Sequence, residues 1–194
     1  MKLKASLLMA GIAASLVAPL AQAADGTITF NGTITASACT TVVGIVGLNA
    51  GSTSGKNATI KLPELPTSAL TTAGNYAGQT GFDISLQGCQ ATATLNNVRT
   101  LFTTGNTPAD DNYVMANTAA SGAENVGVAI LTTSGTQIDL NGGANQDPGA
   151  PLPLLTGSPG DVTLHYQAAY KVLTGGNVTA GPVTGVADYT ISYY

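Results

Sequence analysis

Charged side chains are scarce in this sequence. Asp, Glu, Lys and Arg make up 8% of its 194 residues, whereas soluble domains average about 25%. With six Lys and Arg against ten Asp and Glu, the chain lacks the clustered basic surface that nucleic-acid binding requires. A surface of Thr, Ser, Asn and Gly favours a subunit that is largely buried in an assembly. The alternative is an ordinary exported β protein with a Thr-rich surface.

The residue types of catalysis are also scarce. The only histidine is His165, and it stands in the alternating stretch VTLHYQAAYKV, where we interpret it as a strand residue satisfied by a neighbour rather than a general base. Asp110 and Asp111 are predicted to form a solvated turn and not a catalytic carboxylate pair. Calcium binding by either of them or by Asp147 stays open. We therefore expect no enzyme, no metal requirement and no cofactor.

Aromatic residues amount to 5% and tryptophan is absent. Stacking platforms for single-stranded nucleic acid are built from such rings, so the sequence disfavours this class of ligand and carbohydrate grooves as well. Cysteine occurs twice, as Cys39 and Cys89. An even count in an exported chain favours one disulfide bond, and a metal pair is disfavoured because there is no CxxC spacing.

The first residues have the features of an export signal. Lys2 and Lys4 precede an almost wholly apolar run over residues 7–20, and Ala21-Gln22-Ala23 fits the small-x-small rule for cleavage. The run is shorter than the roughly 20 residues of a transmembrane helix. We predict that residues 1–23 are a signal peptide, which leaves a mature chain of residues 24–194 with a formal net charge of −6.

The mature chain carries a β pattern. Helical periodicity is nearly absent, and 24 glycines and 9 prolines punctuate the sequence at short intervals, which is typical of a sandwich or barrel. Residues 126–131 and 137–140 give the best hairpin signal. Pro63 and Pro66 limit the alternating stretch 58–62 to a sheet edge or strand end. The other main predicted strands are 80–89, one or two within 91–103, 162–172 and 186–194, and residues 41–48 form a piece rich in Val and Gly.

The stretch 25–38, DGTITFNGTITASA, also alternates as a strand. Ile28, Phe30, Gly32 and Ile34 share one face, and threonines dominate the other. After cleavage this half-apolar stretch would be a free end that must join a sheet. The pattern alone leaves two alternatives open, namely pairing within its own domain and pairing with another chain.

Four motifs occur in order along the mature chain. They are GTITFNGTITASAC at the first cysteine, GFDISLQGC at the second, the stretch ENVGVAILTTSGTQIDLNG, and a C-terminal pair of Gly181, fourteenth from the end, and Tyr193, the penultimate residue. In these motifs the sequence resembles the major pilins of the chaperone–usher (type 1-like) fimbriae of Gram-negative bacteria.

The resemblance implies an all-β, incomplete immunoglobulin-like sandwich that lacks its final strand. Residues 36–194 would form a single pilin domain, and residues 24–35 an N-terminal donor-strand extension. The extension would fill a groove in a neighbouring subunit with Ile28, Phe30, Gly32 and Ile34. The acceptor groove and C-terminal motif would comprise Gly181, Ala187, Tyr189, Ile191 and Tyr193.

The resemblance also implies partners and a location. They are identical or related pilin subunits in a head-to-tail polymer, a periplasmic chaperone and an outer-membrane usher. The chain would pass through the periplasm into a surface fimbria that supports adhesion. The alternative function is a minor or adaptor pilin, or an adhesive binding module, of the same assembly.

Overall fold

The computed structural model describes residues 37–194 of the chain. Apart from short 3-10 turns at Thr67–Ala69 and Leu140–Gly142, the regular structure of this part is all strand, and none of its helices is long and apolar enough to span a membrane. The strands are β1 (Thr41–Gly47), β2 (Ser54–Gly55), β3 (Tyr76–Cys89), β4 (Asn97–Thr103), β5 (Met115–Ala116), β6 (Val126–Thr132), β7 (Gln137–Ile138), β8 (Ala150–Pro151), β9 (Gly160–Val172) and β10 (Asp188–Tyr193).

The strands form two antiparallel sheets. The larger sheet has the order β2-β1-β3-β9-β6-β5, with β7 paired to β6, and the smaller sheet has the order β10-β4-β8. The predicted hairpin is confirmed, because Ile130 pairs with Ile138 across β6 and β7. The predicted strand 80–89 is confirmed and begins earlier, at Tyr76, beyond a bulge that includes Gly78 with a φ of 69°.

The main core lies where the two sheets meet. Phe82 and Tyr166 of the larger sheet have ring centroids 5.5 Å apart, and Phe102 of the smaller sheet lies 5.2 Å from Tyr166, edge to face. All three are buried. Edge-to-face contacts such as the one between Phe102 and Tyr166 are a favoured aromatic geometry, and these rings join the two sheets into a sandwich.

A disulfide bond and a buried, hydrogen-bonded carboxylate reinforce this core. The predicted disulfide bond between Cys39 and Cys89 is present and ties the segment before β1 to the end of β3. The buried carboxylate of Asp147 accepts hydrogen bonds from the Thr100 backbone N–H at 2.7 Å and the Tyr166 hydroxyl at 2.5 Å, one residue on each sheet. These bonds offset the cost of burying the carboxylate. Burial raises the pKa of the Tyr166 hydroxyl above its usual value.

A second apolar cluster lies on the other side of β6 and β9. It comprises Val114, Ala129, Leu131 and Ala169, all fully buried.

An ion pair holds the segment between β4 and β5, residues 104–114, to β9. Lys171 of β9 binds the carboxylate of Asp111 at 2.5 Å. Asp111 is therefore not part of a solvated turn, as the sequence predicts, because its side chain is only 16% exposed and forms an ion pair.

Of two further predictions from the sequence, the structure confirms one and contradicts the other. His165 lies opposite Asp83 on β3, and its Nδ1 is 2.7 Å from Asp83 Oδ1, which confirms a strand histidine satisfied by a neighbour. The prediction of a strand at residues 58–62 is wrong. The backbone N–H groups of Thr59 and Lys61 bond the side-chain oxygens of Thr53 and Ser52 instead of a neighbouring strand.

Candidate functional site

Strand β10 is an edge strand. It pairs with β4 along its whole length, from Asp188 opposite Thr103 to Tyr193 opposite Val98. No strand of the described residues 37–194 pairs with its other edge. The backbone N–H and C=O groups on that edge are therefore available to a further strand, which is how exposed sheet edges recruit other chains.

Beside this edge, alternate residues turn towards the core. Ala187, Tyr189, Ile191 and Tyr193 are half-buried and pack against the main core cluster. This is the period of two expected for a strand with one face on a core. Burial raises the pKa of the Tyr193 hydroxyl above its usual value.

A cavity of about 990 Å³ opens between the sheets next to β10. Its lining is mostly apolar, and Lys61 and Glu64 are its only charged side chains within the described part of the chain. Buried core side chains contribute to it from both sheets. They are Phe82, Phe102, Met115, Val128, Ile130 and Ala168.

One wall of the cavity is the segment 178–187, which leads into β10. It is fixed by hydrogen bonds to residues 117–124, including Ala123 N–H to the Pro182 carbonyl at 3.0 Å and Thr184 N–H to Asn117 Oδ1 at 2.8 Å. Gly181 lies in this contact, where a Cβ atom would stand 2.6 Å from the Ala123 nitrogen. Glycine is therefore required here for close packing of two backbones.

The segment 58–70 forms another part of the cavity lining. Ile60 and Leu62 are half-buried against the main core, and the Tyr170 hydroxyl donates a hydrogen bond to the Pro63 carbonyl at 3.0 Å, which holds the wall to β9. Because this segment forms no strand, the apolar floor between it and β10 is not covered by a continuous sheet. Pro63 lacks an N–H and favours this interruption.

The residues predicted for the site divide into three groups. Gly181, Ala187 and Tyr189 line the cavity, whereas Ile191 and Tyr193 lie further along β10 and pack against the core. Cys39 and Cys89 are joined as the disulfide. The predicted donor residues lie outside the residues that the structure describes; they are Ile28, Phe30, Gly32 and Ile34.

Sequence reasoning missed the wall at 58–70 and the floor of the cavity. The alternation of Ile60 and Leu62 was the available signal, since it indicates one buried face whether or not a ladder forms. The floor carries no local signal, because Met115, Val128 and Ala168 come from three separate strands.

The arrangement has the chemistry of a binding groove. Among the described residues, no cluster of three or more His, Cys, Asp or Glu side chains could hold a metal ion. The apolar lining and the free strand edge together favour an extended peptide whose alternate side chains are apolar.

Comparison with known proteins shows to which protein family this chain belongs. A family model described as Fimbrial protein matches residues 28–194. The chain belongs to this family of fimbrial proteins. The family is structural and not enzymatic.

Fimbrial relatives cover nearly the whole chain. A fimbrial protein of Escherichia coli is 33% identical in an alignment of 193 positions that covers 94% of this chain and 95% of the relative. The major fimbrial subunit SMF-1 of Stenotrophomonas maltophilia is 35% identical in an alignment of 179 positions that covers 91% of this chain and 97% of that protein. The chain is thus a fimbrial subunit, and it spans nearly the whole length of both relatives.

Solved structures establish the fold. The crystal structure of the P pilus rod subunit PapA matches with a TM-score of 0.52 at 22% identity, over 70% of this chain and 92% of PapA. A chaperone–usher pilus structure matches with a TM-score of 0.54 at 22% identity, over 91% of this chain and all of that chain. The prediction of an incomplete immunoglobulin-like sandwich is confirmed.

Proposed function

We propose that this fimbrial subunit polymerises by donor-strand exchange. The N-terminal stretch of one copy adds as a strand along the free edge of β10 in the next copy and fills the apolar cavity beside it. The single observation that carries the proposal is that a cavity of about 990 Å³ opens onto the core beside an edge of β10 that no strand of residues 37–194 pairs with. The chain supplies a matching ligand in residues 25–38.

The sequence of the proposed donor fits the groove in pattern, and its length is similar to that of the six-residue strand β10. Ile28, Phe30 and Ile34 fall on one face of an extended segment, and each would contribute on the order of 1.5–3 kcal/mol on burial. Residues 28–34 would span roughly 20 Å as a strand. Gly32 suits a point where two backbones approach closely. Donor-strand complementation of pilins is a known instance of this mode of peptide recognition.

Each joint of the filament would then combine the donor stretch of one copy with the groove of the next copy. Because the donor and the groove are different surfaces, the contact is head-to-tail and propagates from copy to copy. The low content of charged residues, 8%, is consistent with a subunit whose surface is largely buried in such an assembly. A filament subunit of this kind reaches the cell surface through the periplasm.

An unfilled groove is an aggregation hazard, because an open edge lies beside exposed core. A periplasmic chaperone that lends a strand would protect the subunit before polymerisation, and an outer-membrane usher would accept it for exchange. We propose both as partners. Adhesion is then a property of the filament as a whole.

Removal of the donor tests the proposal. We expect a variant that lacks residues 24–34 to fold, form its disulfide and bind the chaperone, but to be absent from filaments sheared from the cell surface. Phe30→Asp should likewise abolish binding between subunits, since a carboxylate is costly to bury in an apolar groove. Filaments of normal length from the deletion variant would refute donor-strand exchange.

Whether the chain is a major or a minor subunit of the fimbria needs a separate measurement. A major subunit forms the main protein band of sheared filaments, whereas a minor or adaptor pilin forms a trace band. We propose that the chain is the major subunit. One of the relatives that it matches over nearly their whole length is a major fimbrial subunit.

A further inference from the structure

Two neighbouring leucines project from the surface of the domain. Leu154 is 75% exposed and Leu155 is 55% exposed, in the loop between β8 and β9. Isolated exposed apolar residues are common on proteins, but adjacent leucines at these exposures form an apolar patch. In a chain whose surface is mainly Thr, Ser, Asn and Gly, such a patch indicates a surface that contacts a partner.

Hydrogen bonds hold the two leucines in a defined turn. The Gly157 N–H donates to the Leu154 carbonyl at 2.9 Å, and the Gln90 side-chain amide donates to the carbonyls of Leu155 at 3.0 Å and Gly157 at 2.6 Å. The Ala91 N–H donates to the Pro153 carbonyl at 2.7 Å. The leucines are thus presented to solvent by a fixed backbone.

The turn lies next to the point where the described chain begins. The backbone N–H of Gln90 donates to the Ala38 carbonyl at 2.8 Å, while its side chain holds the leucine turn. Gln90 directly follows Cys89, which is bonded to Cys39. A single residue therefore joins the leucine turn to the start of the domain, from which the N-terminal stretch extends.

We propose that Leu154 and Leu155 contact the copy of this chain whose groove receives the N-terminal stretch. This inference rests on the proposed function. Residues 34 to 37 span at most about 11 Å when fully extended. Once Ile34 is seated in a neighbouring groove, the first residues of the donating domain must lie close to that neighbour. The leucine turn is then carried to the same joint.

The contact adds to the donor strand without replacing it. The donor strand provides the backbone ladder and the plugs, and the leucine turn restricts how far two successive domains swing about their connecting residues. The occupant is a second copy rather than another partner, because the geometry of the connection brings only that copy to the turn.

The test uses full-length chain assembled into filaments. A double variant, Leu154→Ser with Leu155→Ser, is compared with Leu48→Ser, a control at a leucine that is 58% exposed and follows the far end of β1. We expect filaments of the double variant to dissociate in denaturant about tenfold to a hundredfold faster, as expected for removing buried leucine from a joint. The control should dissociate at the wild-type rate.

A synthetic peptide of residues 25–38 separates the two proposals. We expect it to bind subunits of the double variant and of the wild type with equal affinity, because the turn lies outside the groove. Wild-type dissociation rates in the double variant, an equal acceleration in the control, or weakened peptide binding would each overturn the leucine contact. Failure of the wild-type subunit to bind the peptide would instead overturn donor-strand exchange.

Discussion

Gly181 shows how a single residue controls one wall of the groove. Its φ is not among the positive values that favour glycine, so its role is not a special backbone conformation. The constraint is space, because a Cβ would lie 2.6 Å from the Ala123 nitrogen and 2.9 Å from the Gly122 carbonyl carbon. Both are backbone atoms, which cannot rotate away as a side chain can.

We expect Gly181→Ala to move the segment 178–187 away from residues 122–123. The free energy of unfolding should fall by about 1–3 kcal/mol, as for other overpacked sites, and affinity for a peptide of residues 25–38 should fall as well. Urea unfolding and peptide titration measure the two effects. Gly105→Ala is the matched control, since a Cβ there meets no atom within 4 Å; equal behaviour of both variants would contradict the packing argument.

At the scale of elements, the segment between β4 and β5 is fastened to the end of β9. Asp110 accepts hydrogen bonds from both the hydroxyl and the backbone N–H of Thr174, and Asp111 pairs with Lys171. The hydroxyl of Thr174, followed by its N–H, holds the pKa of Asp110 below its ordinary value of 3.8. Because this side chain is exposed, the attachment is a modest one.

The sign of the pH effect follows from that lowered pKa. The ionised carboxylate stabilises the attachment above the unfolded-state pKa, and this contribution is lost as the pH falls through the still lower folded-state pKa. We expect Thr174→Val to raise the pKa of Asp110 towards 3.8, as followed by NMR titration of its carboxyl carbon. Thr163→Val, at an exposed threonine on β9, should leave that titration unchanged. An unshifted Asp110 in Thr174→Val would show that the hydroxyl is not the cause.

At the scale of the whole molecule, the disulfide fixes the start of the described chain to the body of the sandwich. It closes a loop with a sequence separation of 50 residues, and Cys89 is fully buried. In a filament built by donor-strand exchange, force between subunits would enter the domain beside this bond. The disulfide would therefore contribute to both stability and load transfer in the proposed assembly.

We expect the double variant Cys39→Ala with Cys89→Ala to lose about 4 kcal/mol of unfolding free energy, the value for closing a loop of this length in the chain-entropy model. Urea denaturation measures the loss. Dithiothreitol should bring the wild type close to the variant and leave the variant itself unchanged. Superimposable unfolding curves for wild type and variant would contradict this expectation.

Much of the fold was predictable from local pattern. The long strands β3 and β9 alternate between buried and more exposed residues, so period two alone identified them. The prediction for residues 58–62 failed because alternation reports one buried face and does not report whether a partner strand supplies hydrogen bonds. Asp111 was misjudged for a related reason, since its partner Lys171 is 60 residues away in sequence.

The sequence by itself determined the fold class, the half-buried face of β10 and the family, because each depends on residue order over short stretches. Only the tertiary structure decided that residues 58–70 and 178–187 line one apolar cavity and that one edge of β10 is unpaired among the described residues. It also placed the leucine turn beside the start of the domain. Such features depend on which distant segments meet, and that is settled by the packing of the sheets and not by any local pattern.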